Sequence, residues 1–314
     1  MIWRPAPSRA GGRVSAVLLC AVMLAMAWAR QFAGAQAAST SPEANRGAAL
    51  SGIAHVAIRV GDLERSRAFY RRLGYEEAFA MDAGGSPTEA FFKINDRQFI
   101  ELYPRRRPEQ AVGFMHVCFE ARDLNALYQE YSDHGLAPTP VKKAGAGNLL
   151  FTLQGPDEPG PPADLRPQAS QNIEYTQYMS GSRHTLDRGA HLGPNRIAEQ
   201  IAGAAIPVND SAVATAFYVT KLSFLRATHP FERGNPTLTL PGEPNSSIEF
   251  LEPHQTAAND PLVALPFHIQ FTVSDLKSAS SKLKALGFSA GRHHGAIWVE
   301  DPDGNQLVFV RMRQ

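Results

Sequence analysis

Three histidines recur at one place in a repeated pattern. His55, His116 and His268 each lie in a short apolar stretch, and each is followed seven residues later by an aspartate: Asp62, Asp123 and Asp275. A fourth stretch keeps the aspartate, Asp210, but has Gly203 in the histidine's place. An imidazole so placed can ligate a metal ion or carry a proton near neutral pH. A single strand histidine is more often a hydrogen-bonded core residue. The argument therefore rests on the repetition, not on any one histidine.

The elements that must hold these residues are legible around them. In residues 53–60, Ile53, His55, Ala57 and Arg59 alternate with Ala54, Val56, Ile58 and Val60, which predicts a strand. Asp62 is placed as a helix N-cap. Leu63, Ser66, Phe69, Tyr70 and Leu73 then share one helical face, and Gly74 ends the helix. Residues 114–123, 201–210 and 267–275 open the same strand–aspartate–helix sequence. Those helices run to Gly135, Leu222 and Gly287, and Phe217-Tyr218 echoes Phe69-Tyr70. Strands are predicted over 76–81, 88–94 and 98–103 in the first unit, and over 139–143, 148–154 and 172–178 in the second. They follow over 246–251 in the third unit, and over 295–300 and 306–311 in the fourth, around the turn Asp301-Pro-Asp-Gly-Asn305. Each unit reads β-α-β-β-β. Residues 155–171, rich in Pro and Gly, read as a surface loop.

The first 37 residues read differently. Arg4, Arg9 and Arg13 precede an apolar run from Ala16 to Ala29, and Ala35-Gln36-Ala37 meets the small-residue cleavage rule. The run is short for a membrane span of about 20 residues. The expectation is a signal peptide over 1–37, a mature start at Ala38, export to the periplasm or beyond, and no stable membrane insertion. Its removal takes away four arginines and no acidic residue, leaving 27 basic against 30 acidic side chains. That balance excludes a nucleic-acid binder. Only Cys118 of the two cysteines then remains, so no internal disulfide forms, and its apolar strand setting reads as packing. The domains read as a flexible lead-in over 38–50, a first repeat domain over 51–180, a polar linker over 181–197 and a second repeat domain over 198–314.

Four β-α-β-β-β units, a first-strand histidine, a last-strand glutamate and a closing Asp-Pro-Asp-Gly-Asn strand resemble the vicinal oxygen chelate superfamily. That group includes glyoxalase I, bleomycin-resistance proteins and extradiol dioxygenases. The resemblance spans roughly residues 51–312. It implies an α+β fold in which the four units pair into two cup-shaped mixed sheets. It also implies metal ligands on the first and last strand of each unit: His55 and Glu101 from the first, His116 and Glu174 from the second. Two imidazoles and two carboxylates suit one divalent ion such as Zn, Ni, Mn, Fe or Co. In the second half Gly203 and Val308 replace a histidine and a glutamate, leaving only Glu249 and His268. Pairing units one with two and three with four therefore gives one complete and one degenerate site.

The glyoxalase-like pattern makes Glu174 the catalytic base in a proton transfer beside a carbonyl, on a small oxygenated substrate. Two alternatives follow from the same resemblance. One is an Fe(II) extradiol-type dioxygenase, although two-domain members of that group work in the second half. The other is a non-catalytic binder of a small molecule. His184 and His191 in the linker, and His293 and His294 near a turn, read as surface residues, and Arg105-Arg-Arg107 as a solvated loop.

Overall fold

The computed structural model describes residues 50–156, 171–228, 235–252, 267–293 and 295–312. The expected leader, most of the lead-in and most of the loop over 155–171 lie outside the described residues, as do His294 and the side chain of His293.

The first unit is β1 (Leu50–Val60), α1 (Leu63–Arg72), β2 (Glu76–Ala83), β3 (Ser86–Asn95) and β4 (Gln98–Pro104). The second is β5 (Gly113–Ala121), α2 (Leu124–Asp133), β6 (Lys142–Lys143), β7 (Leu149–Gln154) and β8 (Asn172–Gln177). A short helix, α3 (Arg183–Leu186), follows. The third unit is β9 (Gln200–Pro207), α4 (Ser211–Lys221), β10 (Leu225–Arg226), β11 (Thr237–Leu240) and β12 (Glu243–Leu251). The fourth is β13 (His268–Val273), α5 (Leu276–Ala285), β14 (Gly291–His293), β15 (Ala296–Glu300) and β16 (Gln306–Arg311).

The repeated aspartates do the same job four times. Asp62, Asp123, Asp210 and Asp275 are the N-caps of α1, α2, α4 and α5, each side chain accepting from backbone N–H groups of the first turn. Such a cap is worth about 1 kcal/mol. Gly74, Gly135 and Gly287 follow their helices with φ of 88°, 76° and 76°, a left-handed turn that favours glycine.

The units pair as the losses in the second half predict. One eight-stranded sheet runs β2-β3-β4-β1-β5-β8-β7-β6, and the other β10-β11-β12-β9-β13-β16-β15-β14. In each, the two first strands meet antiparallel at the centre and each lies parallel to the last strand of its own unit. Alternation sends one set of side chains into a concave face and the other into a core shared by both sheets. Rings join the halves across that core: Tyr75 with Phe271, Phe119 with Phe224, Phe114 with Phe267 and Phe69 with Phe288. The Gln98 amide works as a strand extension, donating to Ile201 O at 2.9 Å and accepting from Ile201 N at 2.8 Å.

The stretch after β8 corrects one expectation. His184, read as a surface residue, is 2% exposed. Ser182 caps α3, and the segment lies over the first concave face. There the His184 ring meets Phe79, Phe91, Phe99 and Tyr178 at centroid distances of 4.6–5.5 Å. Lys93, fully buried on β3, ties the segment down. Its ammonium donates to Asp187 O and Oδ2 at 2.5 and 2.9 Å and to Ala190 O at 2.8 Å. The polar, glycine-rich composition of residues 180–197 hides this, because the partners that fix it come from β2, β3 and β4. His191 and the Arg105–Arg107 run are exposed as expected.

Candidate metal centre

Four adjacent central strands, β4-β1-β5-β8, bring Glu101, His55, His116 and Glu174 together on the first concave face. Strand register arranges them in two rows. Ala57 pairs with both Glu101 and His116; Cys118 pairs with both His55 and Glu174. Each row thus sets a small residue among the larger ones, and the long side chains lean toward one another over it.

His55 is the hub. Its Nδ1 lies 3.0 Å from Glu101 Oε1, and its Nε2 lies 3.1 Å from His116 Nε2 and 3.5 Å from Glu174 Oε1. His116 Nε2 is 3.8 Å from Glu174 Oε2. All four side chains point inward, with side-chain exposures of 4% (His55), 5% (Glu101), 9% (His116) and 13% (Glu174). The short His55–Glu101 approach is not a hydrogen bond: Nδ1 is buried and lacks an aligned partner.

Burial sets the charge state of these groups. It holds the His55 imidazole well below its usual range, helped by His116 and His184, and lowers His116 to about 4. It pushes Glu174 up to about 7 and Glu101 well above the carboxylate range, Glu174 and Glu89 adding to the second effect. The carboxyls therefore face imidazoles that stay neutral, and the cluster favours a cation that would draw both carboxylates back to the charged form. Its geometry fits one: two donors at right angles, each about 2.1 Å from an ion, lie about 3.0 Å apart. His55, Glu101 and His116 offer three atoms within 4.8 Å of one another, and so do His55, Cys118 and Glu174.

Sequence reasoning missed three neighbours. Tyr103, half-buried, donates to Glu101 Oε2 at 3.0 Å and so orients that carboxylate. Strand alternation from Glu101 carries this signal. Cys118, read as packing, is buried in the row between His55 and Glu174. Its signal is the same alternation, from His116. His184 had no local signal.

The second cup has lost one row and kept the other. Glu249–Ala205–His268 matches Glu101–Ala57–His116, but Ser247–Gly203–Gln270–Val308 stands where Phe99–His55–Cys118–Glu174 stands in the first cup. Glu249 accepts from Asn235 Nδ2 at 2.8 Å and from Gln270 Nε2 at 3.0 Å, and that same nitrogen meets His268 Nε2 at 3.1 Å. An amide fills the position between the carboxylate and the imidazole.

Two cups, each closed by paired β-α-β-β-β units around a face that can carry ligands, define the vicinal oxygen chelate fold. The chain belongs to the Glyoxalase/Bleomycin resistance protein/Dioxygenase superfamily, whose sequence model matches residues 52–158 and 200–309. It is 32% identical over 115 residues to an uncharacterized protein of Bacillus subtilis, YwkD, a match covering 33% of this chain and 88% of that protein. Among solved structures it resembles the 2,3-dioxygenase LapB from Pseudomonas sp. KL28, with TM-score 0.60, 16% identity, and coverage of 85% of this chain and 93% of that one. It also resembles the Mn(II)-bound glyoxalase from Novosphingobium aromaticivorans, with TM-score 0.58, 17% identity, and coverage of 84% and 83%. At these identities the structural likeness shows the fold. No helix among the described residues is long and apolar enough to cross a membrane.

Proposed function

We propose that His55, Glu101, His116 and Glu174 hold one divalent metal ion and that the protein is a glyoxalase-like lyase or isomerase acting on a small oxygenated molecule. The observation that carries this reading is the convergence of His55 Nε2 on His116 Nε2 at 3.1 Å and on Glu174 Oε1 at 3.5 Å, with Glu101 against the same ring, inside a buried set of two neutral imidazoles and two carboxyls. Such a set is costly to bury unless a cation completes it. The manganese in the Novosphingobium glyoxalase supports the choice of a divalent ion of this kind.

When bound, the ion would supply a Lewis acid that polarises a substrate oxygen. The chain's own residues would do the rest. Glu174 is the least buried of the four and is the base, taking a proton from carbon at a carboxylate oxygen and returning it to the neighbouring atom. Tyr103 holds Glu101 through Oε2, leaving Oε1 turned toward His55. Phe99, beside His55 in the sheet, walls the site against water.

The decisive experiment is elemental analysis of protein from its native compartment, followed by a screen of aldehydes, catechols and hydroxy-ketones. Glu174→Gln is expected to retain metal and lose turnover. Protein that neither carries nor takes up a divalent ion would favour a non-catalytic binder instead. A second enzymatic reading, an Fe(II) dioxygenase, draws on the two-histidine, one-carboxylate set of His55, His116 and Glu101. Oxygen uptake with a catechol under Fe(II) loading would select it.

The N-terminal charge and hydropathy pattern supports export, and the two separate sheets support two repeat domains over 51–180 and 198–314. N-terminal sequencing of exported material is expected to begin near Ala38. A chain that keeps residues 16–29 and fractionates with membrane would overturn export.

A further inference from the structure

The two cups share a backbone plan but are filled in opposite ways. In the first, Phe91 and Phe99 pack around the His184 ring, and Lys93 anchors the segment that carries it. Register places Thr237, Ser247 and Thr239 at the three matching positions of the second cup. Two aromatic rings and an anchoring ammonium are thus exchanged for three hydroxyls. In their place is a cavity of about 350 Å3 on the concave face of the second sheet.

Its lining has two characters. Thr237, Thr239, Ser247, Gln270 and Thr272 form a hydrogen-bonding wall without formal charge, and Ala202 and Val310 form an apolar one. Val310 continues into a small apolar cluster with Ala296, Val308 and Trp298. Among the described lining residues only Arg311 is charged, and it is exposed. Beneath the cavity, Glu249 already accepts from Asn235 and Gln270. Apart from the exposed Arg311, a charged guest would meet no opposite charge in the lining, and it would lose its hydration. A guest with one hydroxyl and a flat apolar edge would satisfy both walls, and the volume suits a molecule of one ring.

We propose that the second cup is a binding site for a small, uncharged, hydroxyl-bearing molecule with an apolar edge. The site is independent of any metal in the first cup.

The test uses the full chain, with benzyl alcohol as the probe and benzoate and benzylamine as charged counterparts, followed by ligand-observed NMR. Saturable binding of benzyl alcohol at low millimolar concentration is expected, with the charged probes weaker. Ser247→Ala should weaken it about fivefold, the loss of one hydrogen bond. Ala202→Phe, which fills the cavity, should abolish it, and His55→Ala should leave it unchanged. Thr239→Leu is the second filling variant if Ala202→Phe fails to fold. No saturable binding, tighter binding of benzoate, or binding that survives cavity filling but is lost in His55→Ala would each overturn the assignment.

Discussion

His55 Nε2 faces His116 Nε2 across 3.1 Å, and burial keeps both rings from charging. Two neutral imidazoles this close can share a proton only if their tautomers are opposite, whereas a cation between them accepts both lone pairs. The protein is therefore expected to carry about one equivalent of divalent metal. His55→Ala or His116→Ala should lower metal affinity at least tenfold. Glu249→Ala and His268→Ala should leave metal content unchanged, because Gln270 already stands between that carboxylate and that imidazole. Elemental analysis of the four variants decides it; metal loss in either second-half variant would mean that the first cup alone does not hold the ion.

The His184 ring gives a pH prediction with a definite sign. Burial lowers it to about 4, against the opposing pull of Asp187, and neither ring nitrogen has a partner. A folded value below the unfolded value of about 6.5 means that the unfolded chain binds the proton first. Titration of the ring therefore costs nothing above that pH, and stability falls as pH drops from about 6.5 toward 4. His184→Phe keeps the ring contacts and cannot titrate. Urea unfolding across this range should show the parent losing up to about 3 kcal/mol relative to the variant, and at pH 7.5 the variant should be no less stable. The titration of His116 is common to both proteins and cancels in the difference, and removing His184 takes away one of the groups that lower His55, which acts in the same direction. Parallel pH profiles would show that His184 protonates at no cost.

Lys93 is the anchor of the segment that carries His184. Its fully buried ammonium pairs with Asp187 at 2.9 Å and with Asp96 at 2.8 Å. Lys93→Met removes one partner of a buried pair and should cost about 3–5 kcal/mol. The loss should be local before it is global. Trypsin should therefore cut the variant faster at Arg183 and Arg188 than at Arg71 and Arg72 of α1, relative to the parent. Unchanged cleavage at Arg188 would mean that the aromatic contacts of His184 suffice to hold the segment.

How much of this the sequence could show depends on how local each cause is. Asp62, Asp123, Asp210 and Asp275 cap the helices that follow them at once, so spacing alone marks them. The inward faces of β1 and β4 follow from a period of two, which sets His55 with Ala57 and is enough to set Glu101 with Phe99 and Tyr103. The resemblance supplied the convergence of His55, Glu101, His116 and Glu174, since no local rule brings residues 55 and 174 together. His184 escaped because its burial depends on Phe79, Phe91 and Phe99, each some 85 or more positions earlier in the chain. Gln270 escaped because its meaning lies in matching Cys118 across two sheets.

That match supplies the last prediction. Cys118 and Gln270 hold the same register position, each beside the central first strand and opposite the last strand of its unit. In the second cup the Gln270 amide donates to Glu249 and meets His268, doing with one nitrogen what a cation would do for that pair. The first cup has a thiol there, too short to reach across, with His55 and Glu174 around it. Cys118→Gln places the same amide in the first cup, within reach of Glu174 and the imidazoles. It should lower divalent-metal affinity at least tenfold, because the amide donates to the acceptors that would hold the ion, and the crowding against His55, where the second cup has Gly203, should cost the metal-free protein about 1–3 kcal/mol. Cys118→Ser is the control: it keeps the size, adds no reach and should retain the metal. Calorimetric titration with Mn(II), paired with thermal unfolding in chelator, separates the outcomes. A Cys118→Gln variant that binds Mn(II) as tightly as the parent would show that an amide at this position does not compete with the ion.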